Sequence, residues 1–282
     1  GEVEVFNGAI LTTSGWDGER GGVLAFRAAG TVWVEDGSRI DLSELGYAAG
    51  DTGTCNNCDA FQGESLGGEG IGDEYGDIYN ESIGGYLANL GGGGANITGG
   101  GGEYGGGATA GDAWFPGVYT APEPGEEYGE VDLEQIFFGS GGGGVWNGGT
   151  DEVDEDPGPG GGGGGILYIC AGSLVLDGAS AIVASGGTTE HWASGSWTYG
   201  AGGGAGGSVF LKADSVELAA DSIDAQGGLG QSDYTRVGGD GGAGRVRIDC
   251  SLCNGYLQGS SDAETALDDA AEPSPGHSES PE

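Results

Sequence analysis

The chain is nearly without lysine. Lys212 is the only one, Lys and Arg together number 7 against 45 Asp and Glu, and the formal net charge is −38. A surface this negative repels phosphate backbones and anionic headgroups, which excludes nucleic acid and anionic lipid as partners. Methionine is absent and no signal-peptide pattern opens the chain, so it reads as a mature or excised sequence. No apolar run approaches the ~18–20 residues needed to cross a bilayer, which excludes membrane insertion. Proline supplies only 8 residues, and the 70 glycines keep no G-x-y period, which excludes collagen. The two histidines, His191 in TTEHWASGSW and His277 near the C-terminal end, belong to no Ser/His/Asp order and no GxSxG elbow. Carboxylates are so many that no acid and base pair stands out, so no catalytic residue is assigned and the chain reads as a non-enzyme.

What the sequence does contain is a recurring unit. Gly164 to Gly187 reads GGILYICAGSLVLDGASAIVASGG, and Gly206 to Gly228 reads GGSVFLKADSVELAADSIDAQGG. In each, a glycine pair precedes an alternating apolar run (Leu167, Ile169, Ala171; Val209, Leu211, Ala213), then a second (Leu174, Leu176; Val216, Leu218), then Ile-x-Ala and another glycine pair. A third copy spans Gly21 to Leu42, and a fourth begins at Gly244 with Val246, Ile248 and Cys250 in the inward places. Period two over so few residues predicts half-buried strands, three short ones per copy. A unit that recurs predicts stacking, because one coil buries too few apolar side chains to order itself. The fold expected is all-β, a parallel β-solenoid or β-helix of about four coils, in a single domain over 1–258. An acidic tail at 259–282, SSDAETALDDAAEPSPGHSESPE in essence, is expected to be disordered.

Between about 46 and 160 the unit is interrupted by a Gly-rich insertion containing blocks such as GGGGANITGGGGEYGGG. Loop closure does not forbid it, because the closing cost grows only with the logarithm of length. Two readings stay open. One is a flexible excursion, since each ordered residue costs about 1–2 kcal/mol and glycine buries no side chain. In the other, the runs Gly91–Gly94, Gly99–Gly102, Gly105–Gly107, Gly141–Gly144 and Gly160–Gly165 form extended polyproline-II-like helices that bond one another, covered by Tyr75, Tyr79, Tyr86, Tyr104, Trp114, Phe115 and Tyr119.

Five cysteines fall as Cys55-x-x-Cys58, Cys170 and Cys250-x-x-Cys253. Cys55, Cys58, Cys250 and Cys253 suit either disulfides or a tetrahedral zinc site. On the repeat register Cys250 points inward, whereas Cys170 aligns with Arg27 and Lys212 and points out. The register puts Arg27 and Lys212 in one outward column, with Arg245 and Arg247 on the same solvent-facing side, where they offset acidic neighbours. The run Asp151, Glu152, Asp154, Glu155, Asp156 offers hard oxygen ligands for Ca²⁺, without EF-hand spacing. Asp240 in GGDGG reads as a turn residue, and the sequons at Asn80 and Asn96 read as chance matches.

GGAGRVRID from Gly241 to Asp249, with the Gly-rich loops and repeats before it, resembles the glycine-rich, β-helix-like extracellular proteins of environmental bacteria. A looser similarity is to polyglycine-rich phage tail-tip adhesins, from which the β-repeat departs. The resemblance implies a secreted or surface-attached protein and leaves activity open. The expected role is an extracellular structural or adhesive subunit that self-associates into a fibre or matrix. The alternatives are a monomeric module binding glycan, ice or a cell surface, and a carbohydrate-active β-helix enzyme.

Overall fold

A computed structural model describes residues 1–51, 62–67, 101–111, 124–130, 132–145, 159–189, 200–230 and 237–254, and the backbone alone at 192–194, 197–199, 232–233, 236, 255 and 264–269. Alternating apolar residues form the strands, as the period of two dictates. The first copy of the repeat supplies β3 (Val23–Arg27), β4 (Thr31–Val34) and β5 (Arg39–Asp41), preceded by β1 (Val3–Val5) and β2 (Ile10–Leu11). After the insertion come β6 (Ile166–Leu176) and β7 (Ile182–Val183), a hairpin of β8 (Trp192–Ser194) and β9 (Trp197–Tyr199), then β10 (Ser208–Leu218) and β11 (Ile223–Asp224). A second hairpin, β12 (Ser232–Asp233) and β13 (Arg236–Val237), leads to β14 (Arg245–Gly255) and β15 (Glu264–Asp269). No helix occurs among the described residues.

Two sheets carry the repeats. The larger runs β1-β4-β6-β10-β14-β15, with β3 on the same edge of β6 as β4, and every pairing in it is parallel. The smaller runs β11-β7-β5-β2, also parallel. Between them lies one apolar core, built from columns of equivalent residues: Leu24, Leu167, Val209 and Val246 are in register, as are Phe26, Ile169, Leu211 and Ile248. Val32, Leu174 and Val216 make a further column, and Ile40, Ile182 and Ile223 line the smaller sheet. These are the inward positions that alternation in the sequence assigns.

Two details differ from the sequence reading. The first two strands of each later copy are fused into one strand of 11 residues. At Gly172 and Ser173, and again at Asp214 and Ser215, two successive residues leave the core, so the strand turns a corner, and the pairing skips Gly172 and Asp214 before it resumes in the same register. In the first copy Ala28 to Gly30 separates β3 from β4 instead. Within the stretch expected to be a disordered tail, Glu264–Asp269 forms β15 beside β14, with Thr265 and Leu267 at the register positions of Val246 and Ile248. That segment has the same alternation in ETALDD, hidden in an acidic composition.

The described glycines of the insertion and of the repeat boundaries bond one another with a period of three. Gly160 and Gly163 donate to the carbonyls of Gly50 and Tyr47, whereas Gly161 and Gly164 donate to those of Gly202 and Ala205. Gly202 and Ala205 in turn donate to Gly143 and Ser140, Gly203 and Gly206 to Gly239 and Gly242, and Gly204 and Gly207 to Gly187 and Ala184. Residues i and i+3 reach the same neighbour while i+1 and i+2 reach others, which is the geometry of an extended helix with three residues per turn. The segments approach so closely that a Cβ on Gly163 would overlap the Gly139 carbonyl, and one on Gly204 the Gly162 carbonyl. Of the runs singled out in the sequence, 105–107, 141–144, 160–165 and the second half of 99–102 are described; 91–94 lies outside the described residues.

Candidate functional site

The larger sheet has an open edge at each end, and the two edges differ in shape. At the first end β4 is covered by β1, while β3, its neighbour along the same edge, pairs with β6 and among the described residues has no partner on its other side. Leu24 and Phe26 are half-buried there, and Val23, Phe6 and Ile10 are 44%, 47% and 54% exposed. At the far end β15 covers Arg245 to Cys250 of β14, and the remainder of β14, Ser251 to Gly255, is unpaired on that side among the described residues. An uncovered strand edge presents unpaired N–H and C=O groups and is a template for another strand.

The outer face of the same sheet carries the polar columns. Arg27, Cys170, Lys212 and Asp249 stand in register on successive strands. They border a groove of about 660 Å³ whose floor is made of Ala28, Ala171 and Ala213 at the corner of the strands. Arg27 and Lys212 are exposed, as their register predicts, and among the described residues neither has an ion-pair partner. Asp249 is held by Arg247, whose Nε lies 2.8 Å from its Oδ1 and whose Nη2 lies 3.2 Å from its Oδ2.

Arg245 corrects the sequence reading. It is fully buried, not solvent-facing. Its Nη2 lies 2.8 Å from Glu127 Oε1, and its guanidinium sits over the Tyr104 ring, 5.0 Å from the centroid. The register was right, since Arg245 aligns with the outward Ser208 and Ile166, but the insertion folds over this part of the face. Tyr104, Tyr128 and Leu133 form a second buried cluster there, with Phe137 and Phe210 against it. The Tyr104 hydroxyl is 2.7 Å from Ser208 Oγ, which donates to the Phe137 carbonyl at 2.6 Å. Arg247 is only half-buried, over the Phe210 ring at 4.9 Å. The insertion is therefore docked on the sheet by aromatic faces around an arginine. Of the aromatics expected to cover the glycine bundle, Tyr104 does so; Tyr75, Tyr79, Tyr86, Trp114, Phe115 and Tyr119 lie outside the described residues.

Glu103 fixes the turn beside this cluster. Its carboxylate accepts from the backbone N–H of Tyr104 at 3.0 Å, Gly106 at 2.6 Å and Ala108 at 2.8 Å. Burial pushes its carboxyl above the ordinary glutamate range in spite of these donors, and nearby Glu127 adds to the rise. The sequence reading missed Glu103, because a lone acid in a glycine block carries no spacing signal.

Cys250 is buried in the main core as expected and forms a disulfide with Cys253, the Cα atoms 5.8 Å apart. In that state neither offers a thiolate to zinc. Cys55 and Cys58 lie outside the described residues, and so do Asp151, Glu152, Asp154, Glu155 and Asp156, Asn80 and Asn96, and both histidine side chains. Cys170 is free and half-exposed. Asp240 accepts from Gly230 N–H at 2.8 Å, a bond across ten residues in place of the local turn role expected of it. Glu130, Asp132 and Glu134 bring carboxylate oxygens within 4.8 Å of one another at the surface, from a spacing the sequence reading did not single out. Comparison with known proteins gives no match: no family, no curated protein and no solved structure is similar to the chain.

Proposed function

We propose that the chain is an extracellular structural protein that self-assembles as the subunit of a fibre or matrix. Its fold in this reading is a parallel β-solenoid of about four coils, each coil closed by polyglycine-II-like segments in place of a further sheet. The observation that carries the reading is the pair of open parallel edges on one continuous core. A repeat array needs caps with a polar outer face to stay monomeric, and the first end instead exposes Val23, Phe6 and Ile10. The Cys250–Cys253 disulfide supports an oxidising compartment, and the excess of carboxylates over cations supports saline surroundings that screen self-repulsion. Ca²⁺ is the cofactor offered by the acidic run at 151–156.

Negative-stain microscopy of the purified chain, with and without Ca²⁺, tests this. Regular filaments are the expected result. Discrete particles at every salt and Ca²⁺ concentration refute it and favour the second reading, a monomeric module that binds a surface glycan. The outer groove, with Arg27 and Lys212 lacking an ion-pair partner among the described residues, is the feature that favours that alternative, and a glycan array on the same particles reads it directly.

A further inference from the structure

We infer that copies join head to tail through a stepped joint in the larger sheet, in which each copy advances the sheet by five strand positions. The inference rests on the fibre reading and adds the partner surface, the register and the repeat. The sheet has two halves along its strands, one before and one after the corner. In the half before the corner the successive strands are β3, β6, β10, β14 and β15. In the half after the corner they are β1, β4, β6, β10 and β14. Each half therefore holds one strand the other lacks: β1 stands proud at the first end, β15 at the far end. The steps are complementary. Set β1 of the next copy on the free half of β14, and β3 of that copy lands on β15. The two halves independently demand the same displacement, about five strand spacings, roughly 24 Å at ~4.8 Å each. Had either end been one strand longer or shorter, one half would clash or gape.

The register carried through the joint is chemically consistent from Glu264 to Asp268, while Asp269 falls at the register position of the buried Cys250. The columns of the sheet place Leu267 opposite Phe26 of the next copy, extending the buried column of Phe26, Ile169, Leu211 and Ile248. They place Asp268 opposite Arg27, Glu264 opposite Val23, and Ala266 opposite Ala25. On the other half Val3 meets the position of Cys253 and Glu4 that of Asn254. No like charges meet, in a chain where 45 of its residues are acidic and only 7 are Lys or Arg. The receiving segments, β3 (VLAFR) and the free half of β14 (SLCNG), hold no acid of their own, and what the register itself adds is an acid, Asp268, at the position of the cation Arg27. Arg27, exposed at the free edge without an ion-pair partner among the described residues, is the cation this joint supplies with an acid. In the smaller sheet the same displacement leaves one position vacant between β11 and the β2 of the next copy, so the larger sheet alone is continuous.

The joint is tested by paired cysteines on a Cys170→Ser background. One chain carries Ala25→Cys and another Ala266→Cys, and the two are mixed under assembly conditions and oxidised. Cα atoms paired on adjacent parallel strands lie within the distance a disulfide spans, so the mixed 25–266 dimer is expected and a 25–25 dimer is not. Filament images should show an axial repeat near 24 Å. Arg27→Glu should raise the concentration needed for assembly about tenfold, and adding Asp268→Arg to the same chain should restore it. Filaments that form without the 25–266 bond, with another repeat, or with no rescue by the charge swap overturn the joint and leave the fibre reading standing. Failure to form filaments at any salt concentration overturns both.

Discussion

At the residue scale the adjacent pair Gly162 and Gly163 separates composition from contact. A Cβ on Gly162 meets nothing nearer than the Glu44 carbonyl oxygen at 3.4 Å, an ordinary contact, whereas one on Gly163 would overlap the Gly139 carbonyl. Gly162→Ala should be neutral or raise stability by up to about 1 kcal/mol through the unfolded chain. Gly163→Ala should cost about 1–3 kcal/mol or more, because the overlapped atom is backbone and cannot step aside. Thermal melts of the two variants decide it, and equal melting temperatures would remove the case for a tight glycine lattice. Glu103 gives a pH test with an unusual sign. Its folded carboxyl titrates above its unfolded value, so folding favours the protonated form, and the stability it contributes grows as pH falls through that raised value towards the ordinary glutamate range. The gap in unfolding free energy between wild type and Glu103→Ala should therefore widen from pH 7 to pH 5; a gap that narrows contradicts the buried placement. Position along a strand was legible in the sequence at this scale: Arg27, Cys170 and Lys212 share an outward column as alternation requires. The burial of Arg245 was not, because the residues that cover it, Tyr104 and Glu127, are more than a hundred positions away and alternation says nothing of what lies over an outward face.

At the element scale stability is shared between strands and cannot be assigned to one. Leu211 is fully buried and touches a column with Ile169 on one side and Ile248 on the other. Leu211→Ala should cost about 2–5 kcal/mol through the lost burial and the cavity, and Leu211→Asp considerably more, since an unpaired carboxylate would enter the core. Because the column runs through β6, β10 and β14, the loss should appear as one cooperative shift. Amide exchange at Ile169 and Ile248 should accelerate together in Leu211→Ala; protection retained at either would show that the strands unfold separately. The parallel register of these strands was readable from repeat alignment, since a slip of one residue would turn every apolar side chain outward. The glycine segments were readable only as an alternative. Composition showed that close approach was available, but which segment lies beside which is set by backbone bonds such as Gly161 to Gly202, and glycine leaves no side-chain pattern from which to read a partner.

At the scale of the whole molecule the governing term is charge. A net −38 on a chain of 27.7 kDa makes each copy repel itself and every other copy. The attractive parts of the proposed assembly, backbone bonds at the edges and apolar contacts near Leu24 and Phe26, act over a few ångströms, whereas the repulsion reaches a Debye length, about 30 Å at 0.01 M salt and about 10 Å at 0.1 M. Salt should therefore act twice, raising the melting temperature of the monomer and lowering the concentration at which filaments form. Simple screening and a dedicated Ca²⁺ site make different demands on the acidic run at 151–156. Screening depends on ionic strength, so NaCl and CaCl₂ matched in ionic strength should then act alike. A carboxylate site saturates, so millimolar Ca²⁺ should do what NaCl at the same ionic strength does not, and neutralising Asp151, Glu152, Asp154, Glu155 and Asp156 together should abolish the difference. The expected result is a monomer melt that follows ionic strength for either salt, with filament formation promoted further by Ca²⁺ and that extra promotion lost in the neutralised variant. If low salt stabilises the monomer or favours filaments, the carboxylates are engaged in specific pairs and not in mutual repulsion, and the saline reading of this surface falls with it.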